Sequence, residues 1–380
     1  MANRPSLSWS RLVAIMVKEL IQLKRDRMTF AMMLGVPLLQ LLLFGYAINT
    51  DPKGLPTAVN IADPGPFSRA LVSALANSGY FRIDRQVSGE AEAERLLATG
   101  DVQFVISVPA GFSRALVRGE HPAILVEADA TDPAAAGNAI AALAQVSRTA
   151  FDPALTGPLQ SLKSGADPVE FRIHRRYNPE GITQYNIVPG LMGVILTMTM
   201  IMLTSLTVTR ERERGTMENL LAMPVRPSEV MVGKILPYIG VGYVQVAVTL
   251  IAARWLFGVP MIGSFALLSA TLLLFIAANL GVGFTFSTVA RNQLQALQMS
   301  FFFFLPSMLL SGFMFPYRGM PEWAQVVGEV FPLTHFLRIT RGILLKGNGF
   351  AETWPDLWPI ALFLAAATVV ALKRYRMTLD

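Results

Sequence analysis

The chain has 380 residues, no cysteine, 53% hydrophobic and 15% charged residues, and a mean hydropathy of +0.46. A soluble enzyme carries about 25% charged residues, so this composition belongs to a membrane protein. The missing cysteine excludes disulfide staples, zinc thiolates, iron–sulfur clusters and thiol nucleophiles. The net charge of +6 does not point to nucleic acid, because residues 49–184 hold 12 Lys/Arg against 15 Asp/Glu. The basic excess lies in the membrane part, where loops beside anionic head groups collect it.

In chain order, residues 1–27 predict a cytoplasmic interfacial helix. Arg11, Lys18, Gln22 and Arg25 share one face and Leu12, Met16, Leu20 and Leu23 spread over the other. Residues 28–48 form the first of six apolar runs, the others being 187–208, 235–257, 264–289, 296–315 and 357–372. Lipid offers no partners to backbone amides, and about 20 residues of helix cross a hydrocarbon core of roughly 30 Å, so each run reads as a transmembrane helix. The first run lacks a small-x-small cleavage site and reads as an anchor rather than a signal peptide.

Residues 49–184 are too long for a connector and predict a folded α/β domain outside the membrane. Strand-like stretches at 57–62, 102–108 and 123–127 alternate with helix-like stretches at 67–77 and 133–149. Residues 185–380 then hold transmembrane helices 2–6.

Span two carries Thr197, Thr199, Thr204, Ser205 and Thr207, and span five opens with Gln293, Gln295 and Gln298 ahead of Phe301 and Phe302. Hydroxyls and amides in lipid face protein or water, so Thr197, Thr204, Gln295, Gln298 and Phe302 are candidates for a substrate path. The competing expectation is that the threonines bond their own helix and the phenylalanines face lipid. No acidic residue lies deep in a span, which argues against a proton-coupled carrier.

The loop at 209–234 contains RERERGTMENLLAMPVRPSE over residues 210–229. Thr216 is a candidate cap for a short helix that Pro224 ends, and Leu220 and Leu221 give that helix an apolar side. With Glu211, Glu213, Glu218 and Arg226 around it, the turn reads as a docking plug for a soluble partner; a solvated positive-inside loop is the alternative. Further on, Gly281-Val282-Gly283 fits close helix packing better than a dinucleotide site. His121, His174 and His335 are too scattered for a metal site. There is no phosphate loop, no H-E-x-x-H pair and no G-x-S-x-G elbow.

Lys/Arg near the span ends place both termini and the 209–234 loop in the cytoplasm. Against that rule, Arg318, Arg338, Arg341 and Lys346 fall in the loop between spans five and six, on the outer side.

The pattern E-R-G-T-x-E-x-L-x-x-x-P-V-R-P-x-E, followed by Gly233-Lys234 and Pro237-Tyr238, resembles the ABC type-2 permease family. A second block agrees: 310–316 (LSGFMFP), Met320-Pro321, Phe331-Pro332-Leu333-Thr334, Arg341-Gly342-Ile343 and Lys346-Gly347. The resemblance covers the whole chain and is closest to the bacterial multidrug-type branch, which has a large extracytoplasmic domain. It implies an α-helical polytopic membrane protein with six transmembrane helices and an inserted extracytoplasmic α/β domain. It also implies a coupling helix whose contacts with an ATPase subunit include Glu211, Glu213, Gly215, Thr216, Glu218, Leu220, Leu221, Pro224 and Arg226.

By the same resemblance, the outer loop 316–354 is re-entrant, with helical pieces at 320–330 and 333–345 divided by Pro332. The function implied is that of a non-enzymatic permease subunit in the bacterial inner membrane, exporting drug-like or lipophilic substrates. Its partners are an ATP-binding-cassette ATPase, a second permease and the lipid bilayer. ATP and magnesium belong to the ATPase, and no cofactor or metal to this chain. Whether a periplasmic adaptor meets the outer domain stays open. A mechanotransmission subunit, which moves an outer partner without transport, is the alternative function.

Overall fold

The computed structural model describes residues 52–152, 168–213 and 227–374. The expected interfacial helix, the first span and the loop residues 214–226 lie outside them.

The first described unit is an α/β layer. Strands β1 (Leu55–Ile61), β2 (Phe81–Gln86), β3 (Phe104–Val108), β4 (Ala123–Asp129) and β5 (Glu170–Arg176) form one sheet in the order β2-β1-β3-β4-β5. Only the β3–β4 pair is antiparallel. Helices α1 (Pro66–Asn77), α2 (Glu90–Thr99), α3 (Phe112–Val117) and α4 (Pro133–Thr149) connect the strands.

Alternation along the strands sorts the side chains to two faces. Leu55, Val59, Phe104 and Ile106 pack with Leu71 and Leu75 of α1, Phe112 of α3 and Leu143 of α4. On the other face, Ala58 and Val105 pack with Ala93, Leu96 and Leu97 of α2. Phe104, Phe112 and Phe151 are fully buried, each contributing about 1.5–3 kcal/mol by area. Strand β5 is an edge strand, mostly exposed, and its charges (Arg172, Arg175 and Arg176) discourage further pairing. Helix α4 begins where Asp132 accepts hydrogen bonds from the Ala134 and Ala135 amides, with Pro133 in the first turn.

Among the described residues, five helices are long and apolar enough to span a membrane: α5 (Thr183–Glu213), α6 (Pro227–Trp255), α7 (Phe265–Val289), α8 (Gln293–Leu310) and, after two short helices, α11 (Phe350–Arg374). Helix α7 is central. It is apolar all round, which suits a helix surrounded by others, and it packs on α5, α6 and α11.

Glycines set these close approaches. A Cβ on Gly283 would lie 2.0 Å from the Thr204 hydroxyl and 2.5 Å from the Ile201 carbonyl oxygen, and one on Gly242 would lie 2.8 Å from Ile276. Helices α6 and α11 bury little of themselves within the chain, leaving side chains such as Val248 and Leu362 on the outer surface. Pro189, Pro237, Pro306, Pro355 and Pro359 lie inside helices, where each removes one backbone hydrogen bond.

Between α8 and α11 lie α9 (Glu322–Gly328), α10 (Pro332–Arg341) and a π-helical turn, Gly342–Lys346. As expected, two helical pieces meet at this proline: Pro332 opens α10 at the break after α9, because its missing N–H costs nothing in a first turn. Helix α10 is deeply packed: Phe336 stacks on Phe275 of α7 with ring centroids 4.0 Å apart. The turn is stapled to the α6–α7 loop, where the Gly263 amide donates to the Ile343 carbonyl at 2.9 Å.

Candidate functional site

Of the residues expected at the ATPase contact, Glu213 is the last described before the 214–226 segment. Its exposed carboxylate accepts the Gln293 amide at 2.7 Å and also the Gln293 side-chain amide. These bonds hold Glu213 below the usual carboxylate range. The end of α5 is therefore tied to the start of α8. Glu211 lies in the last turn of α5. Gly215, Thr216, Glu218, Leu220, Leu221, Pro224 and Arg226 fall outside the described residues.

The expected path residues occupy two adjoining helices, α5 and α8, which pack on each other. Thr197 and Thr204 are buried and donate to their own helix, to the Gly193 carbonyl at 2.9 Å and the Met200 carbonyl at 2.7 Å. Thr204 also faces Gly283 of α7. Thr199 reaches a neighbouring helix, donating to Gln245 Oε1 of α6 at 2.9 Å.

Gln295 caps α8: its Oε1 accepts the Arg291 amide at 2.6 Å, while Asn292 Oδ1 accepts the Gln295 amide at 2.8 Å. Gln298 Oε1 is buried without a hydrogen-bond partner among the described residues. Phe302 is 43% exposed. Among the five, only Gln298 keeps an unspent buried polar atom, and Phe302 keeps a free apolar face.

The four cations of the outer loop have specific surroundings. Arg338 of α10 pairs with Glu329 and, at 3.3 Å, with Asp356 of α11. His335 lies between the same two residues, with Nδ1 2.7 Å from the Asp356 carboxylate and Nε2 2.9 Å from the Glu329 carbonyl. The Tyr317 hydroxyl donates to Glu329 at 2.5 Å, and its ring lies 4.6 Å from the Arg338 guanidinium. This network pins α9, α10 and α11 together.

Lys346 crosses to the α/β unit. Its ammonium donates to Asp129 at 2.6 Å and to the Leu97 carbonyl at 2.9 Å, and it sits 5.1 Å from the Tyr177 ring. Arg318 and Asn348 also bond carbonyls at the end of α2, those of Gly100 and Ala98. Sequence reasoning singled out these positive residues as anomalous in an outer loop. The acidic partner of Lys346 was not identifiable, because Asp129 lies 217 residues away.

The charge in that loop thus serves docking and bracing, while the long helices carry no comparable cluster among the described residues. Comparison with known proteins agrees with this architecture. The family described as ABC-2 family transporter protein matches residues 27–373. A probable multidrug ABC transporter permease of Escherichia coli K12, YbhS, is 30% identical over 355 residues, covering 91% of both chains. A second probable multidrug ABC transporter permease of that strain, YbhR, is 29% identical and covers 96% of this chain and 98% of its own. The inner membrane transport permease YhhJ of the same organism is 29% identical over 85% of this chain and 86% of its own. The chain is an ABC type-2 permease, a member of the ABC-2 transporter family.

Proposed function

We propose that this chain is the transmembrane permease subunit of an ATP-driven exporter in the bacterial inner membrane. Both termini face the cytoplasm, residues 28–48 supply a sixth span, and the α/β unit stands outside. A separate ATPase subunit binds ATP and magnesium, a second permease completes the complex, and the cargo is drug-like or lipophilic. The names of the YbhS and YbhR relatives support a multidrug reading.

The observation that carries the coupling step is the course of α5. This helix packs on α6, α7, α8 and α10, and it ends at Glu213, bonded to the start of α8. A displacement applied at residues 214–226 therefore reaches two spans directly and α7 and α10 through packing. Rigid helices with few discrete packings transmit such a push.

The test is Leu220→Asp. A carboxylate forced into an apolar cleft on the ATPase costs several kcal/mol, so copurified ATPase per permease should fall roughly tenfold or more while membrane insertion is unchanged. Glu218→Lys should weaken the complex in a salt-dependent manner, as expected for a screened rim contact. Full partner complement and full substrate-stimulated hydrolysis in Leu220→Asp would remove the docking-plug role. A parent chain that brings down no ATPase would remove the exporter reading itself.

A further inference from the structure

Gln245 lies midway along the membrane-capable stretch of α6, Pro237–Trp255, and is half-buried. Its Oε1 meets the Thr199 hydroxyl of α5 at 2.9 Å, and that hydroxyl also donates to the Ile195 carbonyl of its own helix at 2.7 Å. The Gln245 Nε2 has no partner among the described residues. A carboxamide carries two N–H donors beside its acceptor oxygen, and turning it over would free the oxygen instead, so half of the group is unspent in either orientation. Hydrocarbon cannot pair it, and polar side chains at this depth face protein or water.

The Thr199–Gln245 bond bridges the seam between α5 and α6. Ile195 and Leu203 stand one turn either side of Thr199, Val241 and Val248 one turn either side of Gln245, and all four are exposed. The seam is thus apolar with one polar point. Its complement is an apolar helix with a single carboxamide near its middle. Residues 28–48 have this composition: Gln40 is their only carboxamide, with Val36 and Leu43 one turn away on the same helical face.

In the proposed topology this run and α6 both pass outward from the cytoplasm. Gln40 precedes Ile48 by eight residues and Gln245 precedes Trp255 by ten, roughly 12 and 15 Å of helix, so the two amides match in depth. Residues 49–51 join Ile48 to Pro52, a reach of at most about 14 Å, which keeps the outer end of the run beside the α/β unit, where α5 also begins.

We infer that the first span docks along the seam between α5 and α6, parallel to α6, with the Gln40 carboxamide opposite Gln245. This docking rests on residues 28–48 being the sixth span. It joins that span to both helices that flank residues 214–226, so a push on that segment reaches the first span as well.

The experiment uses the full chain, which has no cysteine of its own, in native membranes oxidised with iodine. Two double variants are made, Val36→Cys with Val241→Cys and Leu43→Cys with Val248→Cys. Each should form a disulfide within one chain, read by mass spectrometry of the linked peptides, because the shared register brings the paired positions to the Cα separation of about 4.4–6.8 Å that a disulfide needs. Leu43→Cys with Leu362→Cys, on the exposed side of α11, should not link. If one variant is not produced, the other decides. A disulfide between two chains assigns the seam to a second copy and overturns the docking. A third variant, Gln40→Cys, separates the remaining failures with a water-soluble maleimide. If it stays unlabelled and the pairs do not link, the span stands and its docking on this seam falls; if it is labelled, the span itself falls.

Discussion

Asp132 shows how one carboxyl is pulled in opposite directions. Burial raises its pKa above the ordinary 3.8, while the nearby Arg341 charge and the Ala135 and Ala134 amides lower it and only partly compensate. A raised folded-state pKa means that the folded chain holds this proton more tightly than the unfolded chain. The stability it contributes is therefore fully present below the unfolded value and is lost as pH rises through the folded one. Asp132→Asn, which keeps an oxygen for the amides, should flatten that part of the pH–stability curve and match or exceed the parent at neutral pH. Asp132→Ala should instead lose the cap at every pH, at about 1 kcal/mol. Thermal unfolding across an acidic-to-neutral pH series measures both, and an unaltered slope in the asparagine variant would show that the carboxyl is not the titrating group.

At the scale of elements, the contact between α5 and α7 is the most sharply constrained. Ala at position 283 would drive its Cβ into the Ile201 backbone, which cannot swing aside, whereas Ala at 281 would make ordinary contacts with the Ala367 Cβ at 3.5 Å and the Leu364 Cδ1 at 4.0 Å. Gly283→Ala should cost about 1–3 kcal/mol by overpacking, and Gly281→Ala should be neutral or stabilising because it removes a flexible helical residue. Equal unfolding midpoints for the two variants would mean that the helices separate more easily than their packing implies.

The same elements show what the residues announced. Helix α4 was legible as the alanine-rich stretch 133–149, and β1, β3 and β4 were legible as short apolar runs. Strands β2 and β5 were missed, since Phe81–Gln86 and Glu170–Arg176 carry charged side chains outward and show no apolar run. Among the path candidates, the polarity of Thr197 and Thr204 was visible, but whether a hydroxyl serves its own helix depends on rotamers that spacing does not determine.

For the whole molecule, the direction of α5 makes the proposed sidedness testable. The α/β unit ends at β5, next to the start of α5, and is fastened by Lys346 and Asn348 to the segment just before α11. The membrane-capable part of α5, Thr183–Leu206, is 24 residues long. At 1.5 Å per residue it is long enough to cross a hydrocarbon core of roughly 30 Å, and Glu213 lies at the opposite end of α5 from the α/β unit. In the proposed orientation, the arginines at 210, 212, 214 and 226 place that far end on the cytoplasmic side. Single cysteines test this in a chain that has none of its own. Thr131 is a poor position because it is 8% exposed and its hydroxyl is bonded to Asp129. Glu120, an exposed residue between α3 and β4, has only a surface ion pair to lose. In intact spheroplasts, an impermeant maleimide should label Glu120→Cys and leave Ser228→Cys unlabelled until the membrane is opened. Labelling of Ser228→Cys from outside, or of both positions equally, would reverse the orientation and with it the side from which an ATPase pushes α5.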